Sequence, residues 1–377
     1  MKPYHTFFLI VVALYSISCE SMTEEPAGIK ILLFEEGSKT VDFSELSDHL
    51  EIIPLNLPDS IVLGRIHDIR YYGDQMFFHD KYSAKALYVF DKEGNLVEML
   101  HRHGSGPGEY VSLENYIIQD DVLTVYDRTS SQVVKYQLPN FHYLETVKVD
   151  SYFMGDMLSK PGLDYAIGFS DNYAQNGYYR GIVFLDENYG ALHHIEKPSG
   201  IIEASEKGNL SDLRNEMLYA EPLSELIYSI DSLSLVPLYH VDFGRYRLPE
   251  KARQFEEAED FYDIISTQDY AFAIHQANIK DSVVSFNFYW RDIDEIRLGI
   301  YDLKQDKGAI INDVGPLQDY LTPALSISDG YNLAILYPDE YDSEVLAHMN
   351  LTRDEVSSID QSKPLLVRYT INKFPNQ

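Results

Sequence analysis

The chain has 377 residues, of which 60 are acidic and 30 basic, a formal net charge of −30 with 45% apolar content. That charge excludes a nucleic-acid partner and adsorption to anionic lipid heads, since both need clustered Lys and Arg, and the apolar share excludes a disordered chain. A single cysteine excludes an internal disulfide and any CxxC metal or redox site.

Taken in chain order, the first element is a targeting segment. Lys2 supplies a positive start, and Phe7 to Leu14 (FFLIVVAL) is an apolar run too short to span a bilayer. Cys19 follows Tyr15-Ser16-Ile17-Ser18, a setting that resembles a bacterial lipobox, although Ser16 stands where Leu is usual. Residues 1–18 are therefore expected to be a signal peptide and Cys19 a lipid-attachment site. More than one acyl chain on it gives stable anchoring. Loss of 1–18 leaves 29 basic against 60 acidic residues, a net charge of −31. Residues 19–45 read as an acidic tether and lead-in, and 46–377 as the folded part.

Within that part the chain repeats. Residues 65–91 and 112–138 align at an offset of 47: Asp68 with Asn115, Met76 with Leu123, Phe78 with Val125, Asp80 with Asp127, Ser83 with Ser130. Apolar residues alternate within each unit, the period of strands. Four short strands in about 47 residues is the size of a propeller blade. A third strand ending in an acidic turn recurs at Asp91, Asp186, Asp231 and Asp302, with the same phase near Leu138 and at Leu365 to Ile371. These markers predict an all-β fold: a six-bladed β-propeller with four-stranded blades. Two long spacings predict small helical insertions, at Lys251 to Ile265 and around Glu344 to Met349. The C-terminus stops after a third strand, so Leu50 to Leu57 is expected to close the last blade and remove its open edge.

The segment Gly104-Ser105-Gly106-Pro107-Gly108-Glu109-Tyr110 joins the first unit to the second. With Ile66-His67-Asp68-Ile69, Pro222 to Tyr228 and Asp242-Phe243-Gly244, it resembles the six-bladed β-propeller lipoproteins of Bacteroides-type bacteria, relatives of NHL-type propellers. The resemblance covers about residues 45–375. It implies an exported, lipid-anchored protein of the Gram-negative cell envelope, at the outer membrane, and it brings no catalytic residues.

Second-to-third-strand loops and blade-to-blade connections emerge on one side of a propeller. Asp80, Tyr82, His103, Glu109, Tyr110, Asp127 and Arg128 are thus the candidate ligand face. Each has a structural alternative: Asp80 and Asp127 can hold turns, the glycine-rich loop can be a sharp connection, and most of the 30 tyrosines can be blade packing. Asp68 and Asn115, matched on innermost strands, are candidate oxygen ligands for a hard cation such as Ca²⁺. His101 and His103 share a strand face but bring no third metal ligand. No GxSxG, HExxH or P-loop pattern occurs. The reading is a monomeric, non-enzymatic binding module for a glycan, peptide or protein, with no resident cofactor. The alternatives are a metal-dependent lactonase or esterase, or a carbohydrate-active enzyme, on the same scaffold.

Overall fold

The computed structural model describes residues 28–34, 38–149, 156–159, 166–170, 173–174, 177–178, 181–196, 208–213, 216–221, 223–253, 258–349 and 351–375. The signal segment, Cys19 and the first part of the tether lie outside these residues, as do Tyr179, Pro222 and Phe255.

The chain folds into successive antiparallel sheets. Sheet I is Asp68–Tyr72, Gln75–Asp80, Ala86–Asp91 and Leu96–Leu100. Sheet II is Asn115–Gln119, Val122–Asp127, Gln132–Gln137 and His142–Lys148. Sheet III is Asp156–Leu158, Ala166–Ser170, Gly181–Leu185 and Ala191–Glu196. Sheet IV is Leu210–Leu213, Glu216–Ala220, Leu226–Asp231 and Ser234–Asp242. Sheet V is Ala271–Lys280, Val283–Trp290, Ile296–Asp302 and Lys307–Asp313. Sheet VI is Ser326–Ser328, Tyr331–Leu336 and Leu365–Tyr369, completed by Leu50–Pro54. A two-stranded ribbon, Tyr173–Ala174 with Gly177–Tyr178, projects between the second and third strands of sheet III.

The middle strands are apolar on both sides because each sheet is covered on both faces. Met76, Phe77 and Phe78 are all fully buried. The core lies between sheets rather than inside one. Phe77, Val89, Tyr116 and Val125 fill the gap between sheets I and II, and Phe34, Phe243, Phe286 and Tyr301 that between IV and V. The outer strand His142–Lys148 turns Glu145 and its other polar groups to water.

The acidic residues that end third strands do so for a physical reason. Asp91 Oδ1 accepts from the backbone N–H groups of Glu93 and Asn95 at 3.0 and 2.8 Å. Asp186 does the same for Asn188 and Gly190 at 2.8 and 2.9 Å, and Asp302 for Lys304 and Gln305 at 2.8 and 3.0 Å. The side chain supplies the acceptor that a tight turn otherwise lacks. The insertions are helical as expected. α1 (Ala258–Ile265) buries Phe261 and Ile265 against Leu223, Leu248 and Phe272. After α2 (Gln318–Leu321), α3 (Ser343–Ala347) and α4 (Arg353–Ser358) follow, α4 with a Thr352/Glu355 capping box.

Six equivalent four-stranded blades are not what the structure shows, and the expectation is corrected on two points. First, the ring around the axis has five members. The inner strands of sheets I, II, III, IV and VI close on the axis, because Ser326–Ser328 lies directly against Leu210–Leu213. The strand Ala271–Lys280 touches both of these strands without parting them, and among the described residues Gln276 is its member that lines the axial cavity. Its ladder breaks between Phe272 and His275 and again before Asn278, with Ala273 and Gln276 at φ 52° and 51°. Bulges of this kind bend a strand out of register. Second, the sheets are not uniform. Lys30–Leu33 adds a parallel fifth strand to sheet IV, and Lys39–Thr40 adds one to sheet V. The lead-in assigned to 19–45 is thus part of the propeller from Lys30 onward. Leu50–Pro54 pairs antiparallel with Leu365–Tyr369, Leu50 opposite Tyr369.

Candidate binding site

The axis is occupied by a side chain. Arg70, on the inner strand of sheet I, donates from Nε to Asp68 Oδ2 at 2.7 Å. Its Nη1 donates to the carbonyls of Tyr116 and Met157 at 2.6 and 2.7 Å, and Nη2 donates to Asn115 Oδ1 at 3.1 Å. Asp156 Oδ1 stands 3.8 Å from Nη2, and the guanidinium lies 4.8 Å from the Tyr116 ring centre. One planar fork therefore ties sheets I, II and III together. Burial opposes the charge on Arg70, yet Asp68 above all holds its pKa higher than usual. Asp68 Oδ1 in turn accepts from Ser326 Oγ at 2.7 Å, which brings in sheet VI. Asp156 Oδ2 accepts from the N–H groups of Gly208 and Leu210, at 3.2 and 3.3 Å, which brings in sheet IV.

Two titratable groups beside this network are displaced by burial. The Asp156 carboxyl is pushed up to about 6, against the pull of Arg70. His79 is held down to about 3, so its ring is neutral at ordinary pH. Its Nε2 stands 2.9 Å from the Leu113 carbonyl, which only accepts, so Nε2 carries the proton. What space remains at the axis is a cavity of about 40 Å³.

The residues proposed from sequence fall as follows. Asp68 and Asn115 do meet, but on the guanidinium of Arg70. Asp127 is buried and fully engaged: it accepts from Val111 N and Ser112 N, both at 3.0 Å, from Ser112 Oγ at 2.9 Å and from Ser130 N at 3.2 Å. Despite burial, these bonds hold its carboxyl below the usual range. Asp80 is buried, with Oδ1 accepting from Ser83 N at 2.7 Å. Tyr110 is buried and donates to Lys85 O at 2.8 Å, so it is a core residue. His103 forms a bridge with Tyr110. Glu109 Oε2 accepts from Gly106 N at 2.8 Å and closes the glycine-rich loop on itself. At Gly108, φ is +73°, and a Cβ would lie 2.9 Å from the Tyr143 ring, so this connection requires glycine. Tyr82, 62% exposed, meets the edge of His67 at 5.6 Å, and Arg128 is exposed at the next loop. Among the described residues, no group of three or more His, Cys, Asp and Glu side chains has metal-site geometry.

The larger space is off the axis. A groove of about 800 Å³ opens between sheets V, VI and I. Tyr289, Tyr320, Tyr337 and Pro323 supply its apolar walls, and Asp319, Asp339, Glu340 and Arg65 its charges. The sequence positions place it on the side of the second-to-third-strand loops and of the entries to inner strands. Tyr337 fastens one wall: its hydroxyl donates to Gly64 O at 3.0 Å and accepts from Ile66 N at 2.8 Å. Gln276 separates groove from axis cavity and borders both. Its Nε2 donates to Ala324 O at 2.7 Å, its Oε1 accepts from Asn287 Nδ2 at 2.6 Å, and its backbone N–H donates to Gly208 O. At the groove floor His275 is only 5% exposed. Its Nδ1 lies 2.9 Å from the Ala273 carbonyl and its ring 5.3 Å from Tyr289.

A closed ring of antiparallel sheets with a plugged axis and a lateral groove defines a β-propeller. Residues 29–366 match the family described as a domain of unknown function (DUF4934), and the chain belongs to it. A crystal structure of a Bacteroides fragilis protein, named as exported by inference, is similar. It is 17% identical, the match covers 91% of this chain and all of that one, and the TM-score is 0.72, a likeness of fold. BamB from Moraxella catarrhalis (13% identity, 69% of this chain, 63% of that one) scores 0.34, and apo AztD from Citrobacter koseri (10%, 67% and 63%) scores 0.36, values that carry no argument. No curated protein matches the chain in sequence. Among the described residues, no helix is long and apolar enough to cross a membrane.

Proposed function

We propose that the protein is a non-enzymatic binding module, exported and lipid-anchored through Cys19 at the cell envelope, which takes its ligand in the groove between sheets V, VI and I. One observation carries this reading: the polar groups at the axis are engaged with one another around Arg70, whereas the groove beside them is open. A Ca²⁺ ion at Asp68 and Asn115 would meet a guanidinium already bonded to both, and two cations in one oxygen cage repel strongly at low dielectric. An axis fastened in this way supports a rigid frame, and rigid frames present binding loops well. The export and anchor rest on the lipobox-like segment ending at Cys19, and the fold neighbour named as exported is consistent with them.

The test is turnover. The full chain, assayed on a panel of lactones and aryl esters with and without Ca²⁺, is expected to give no rate above background. Turnover that responds to Ca²⁺ and is lost in Asp68→Asn would replace the binding reading with a hydrolase. For the anchor, Cys19→Ala is expected to abolish incorporation of a fatty-acid probe, and unchanged labelling would remove it.

A further inference from the structure

The groove has a chemical bias that narrows what it takes, given the binding reading above. Its polar lining is rich in acceptors. Asp319, Asp339 and Glu340 offer three carboxylates against one guanidinium, that of Arg65, and all four side chains are exposed. Exposed acids alone say little on a chain with 60 of them. The second observation is His275, which is nearly enclosed and yet borders the groove. A carbonyl oxygen only accepts, so the bond from Nδ1 to Ala273 O fixes the proton on Nδ1. Burial keeps the ring neutral. Nε2 is thereby left as a lone pair, on a ring that borders the groove. A nearly enclosed imidazole held in one tautomer can accept from a donor that enters the groove. The wall also carries the rings of Tyr289, Tyr320 and Tyr337, and aromatic rings favour cations. The same pairing occurs elsewhere in this chain, where the Arg368 guanidinium lies 5.0 Å from the Tyr331 ring centre.

We propose that the groove binds a small organic cation, an amine- or guanidinium-bearing molecule, which donates one N–H to His275 Nε2 and sits between the tyrosines and the three carboxylates. A neutral sugar needs donors and acceptors in balance and gains nothing from the charge. A cation needs acceptors, and this lining supplies them in excess over its one guanidinium.

Spermidine is the probe, with maltotriose as its neutral counterpart, titrated into the full chain by calorimetry at low salt. One spermidine per chain is expected, and raising NaCl from about 20 to 200 mM should weaken it at least tenfold by screening. The triple variant Asp319→Asn, Asp339→Asn, Glu340→Gln keeps side-chain shape at exposed positions, and it should lose at least tenfold in affinity. His275→Phe should lose at least tenfold with no change in net charge. The control Asp59→Asn, Asp74→Asn, Asp120→Asn removes the same charge elsewhere and should bind as wild type. No spermidine heat, or equal losses in the control and groove triples, overturns the proposal. Binding of maltotriose alone, lost in Tyr289→Ala, also overturns it but leaves the groove as a binding site. Should His275→Phe fail to fold, the two triples still decide between these outcomes.

Discussion

Arg70 is the residue on which the axis depends, and its environment makes its removal asymmetric. Taking away one partner of a buried ion network leaves the others desolvated and uncompensated, at a cost of about 3–5 kcal/mol. Arg70→Met strands Asp68 and Asp156 together and is expected to lose that much in urea unfolding. Arg70→Lys should recover little, since an ammonium lacks the fork that reaches Asp68, Asn115 and two carbonyls at once. A loss under about 1 kcal/mol for Arg70→Met would show the network to be dispensable. The pH dependence is a separate expectation at the same site. Asp156 is raised from 3.8 to about 6, so between those values the folded state holds more protons and stability falls as pH rises. His79 is lowered from 6.5 to about 3, so between those values the unfolded state holds more protons and stability rises with pH. The two slopes, each up to about 1.4 kcal/mol per pH unit, oppose one another from about pH 4 to 6. Asp156→Asn leaves the His79 slope unopposed, and its stability should climb more steeply than wild type across that range. Parallel profiles would contradict the assignment. The pairing of Asp68 with Asn115 was legible in the repeat alignment. The meaning of the pair was not, because Arg70 aligns with Ile117 and a single odd residue in a repeat gives no hint of the three strands it will bridge.

At the scale of elements the local signals were strong and the long-range ones weak. The third strands of sheets I, III, IV and V end at their acidic marker or one residue before it, and at Asp91, Asp186 and Asp302 the acidic turn is a local hydrogen-bond device that needs only its next four residues. The closing strand was readable from an incomplete last repeat. The parallel strands Lys30–Leu33 and Lys39–Thr40 were not, since they pair with partners some 200 residues or more away. The closure can be tested where its two neighbours meet. After Pro54 the chain crosses to the first blade, where Asn56 N donates to Gly94 O at 2.7 Å and Leu96 N donates to Asn56 O at 3.1 Å. Gly94 has φ +83°, and a Cβ there would lie 2.3 Å from Pro54 O and 2.9 Å from Ile53 Cγ2. Gly94→Ala should therefore cost more than the roughly 1–3 kcal/mol of a strained backbone, because the closing strand must also move. Ile53→Ala, in the core between sheets VI and I, should cost about 2–5 kcal/mol. The double variant should fall short of the sum, since both changes loosen one contact. Strict additivity in chemical denaturation would mean that strand and turn are not coupled.

For the whole molecule, sequence phase and spatial arrangement answer different questions. Repeat phase counts sheets and cannot count places at the axis, which depend on how far each inner strand advances. The marker at Asp302 belongs to a sheet whose inner strand, Ala271–Lys280, is bent by bulges, and His275 of that strand lies at the floor of the groove. The groove was invisible in sequence for the same reason, as its walls come from three sheets. Charge, by contrast, was legible from the first count, and it sets the last expectation. A net charge of −30 repels itself, more in the compact state than in the expanded chain. The Debye length falls from about 30 Å at 0.01 M salt to about 8 Å at 0.15 M, so added NaCl over that interval should screen repulsion across the ring and raise Tm by a few degrees at pH 7. Salt also weakens exposed attractive pairs such as Arg291 with Asp269, but such pairs contribute only about 0–1 kcal/mol each. Near pH 4.5, close to the ordinary pKa of Glu, much of the surplus charge is neutralised and the salt effect should vanish or reverse. An equal rise in Tm at both pH values would assign the effect to salt exclusion rather than to charge, and would leave the acidic surface without a role in stability.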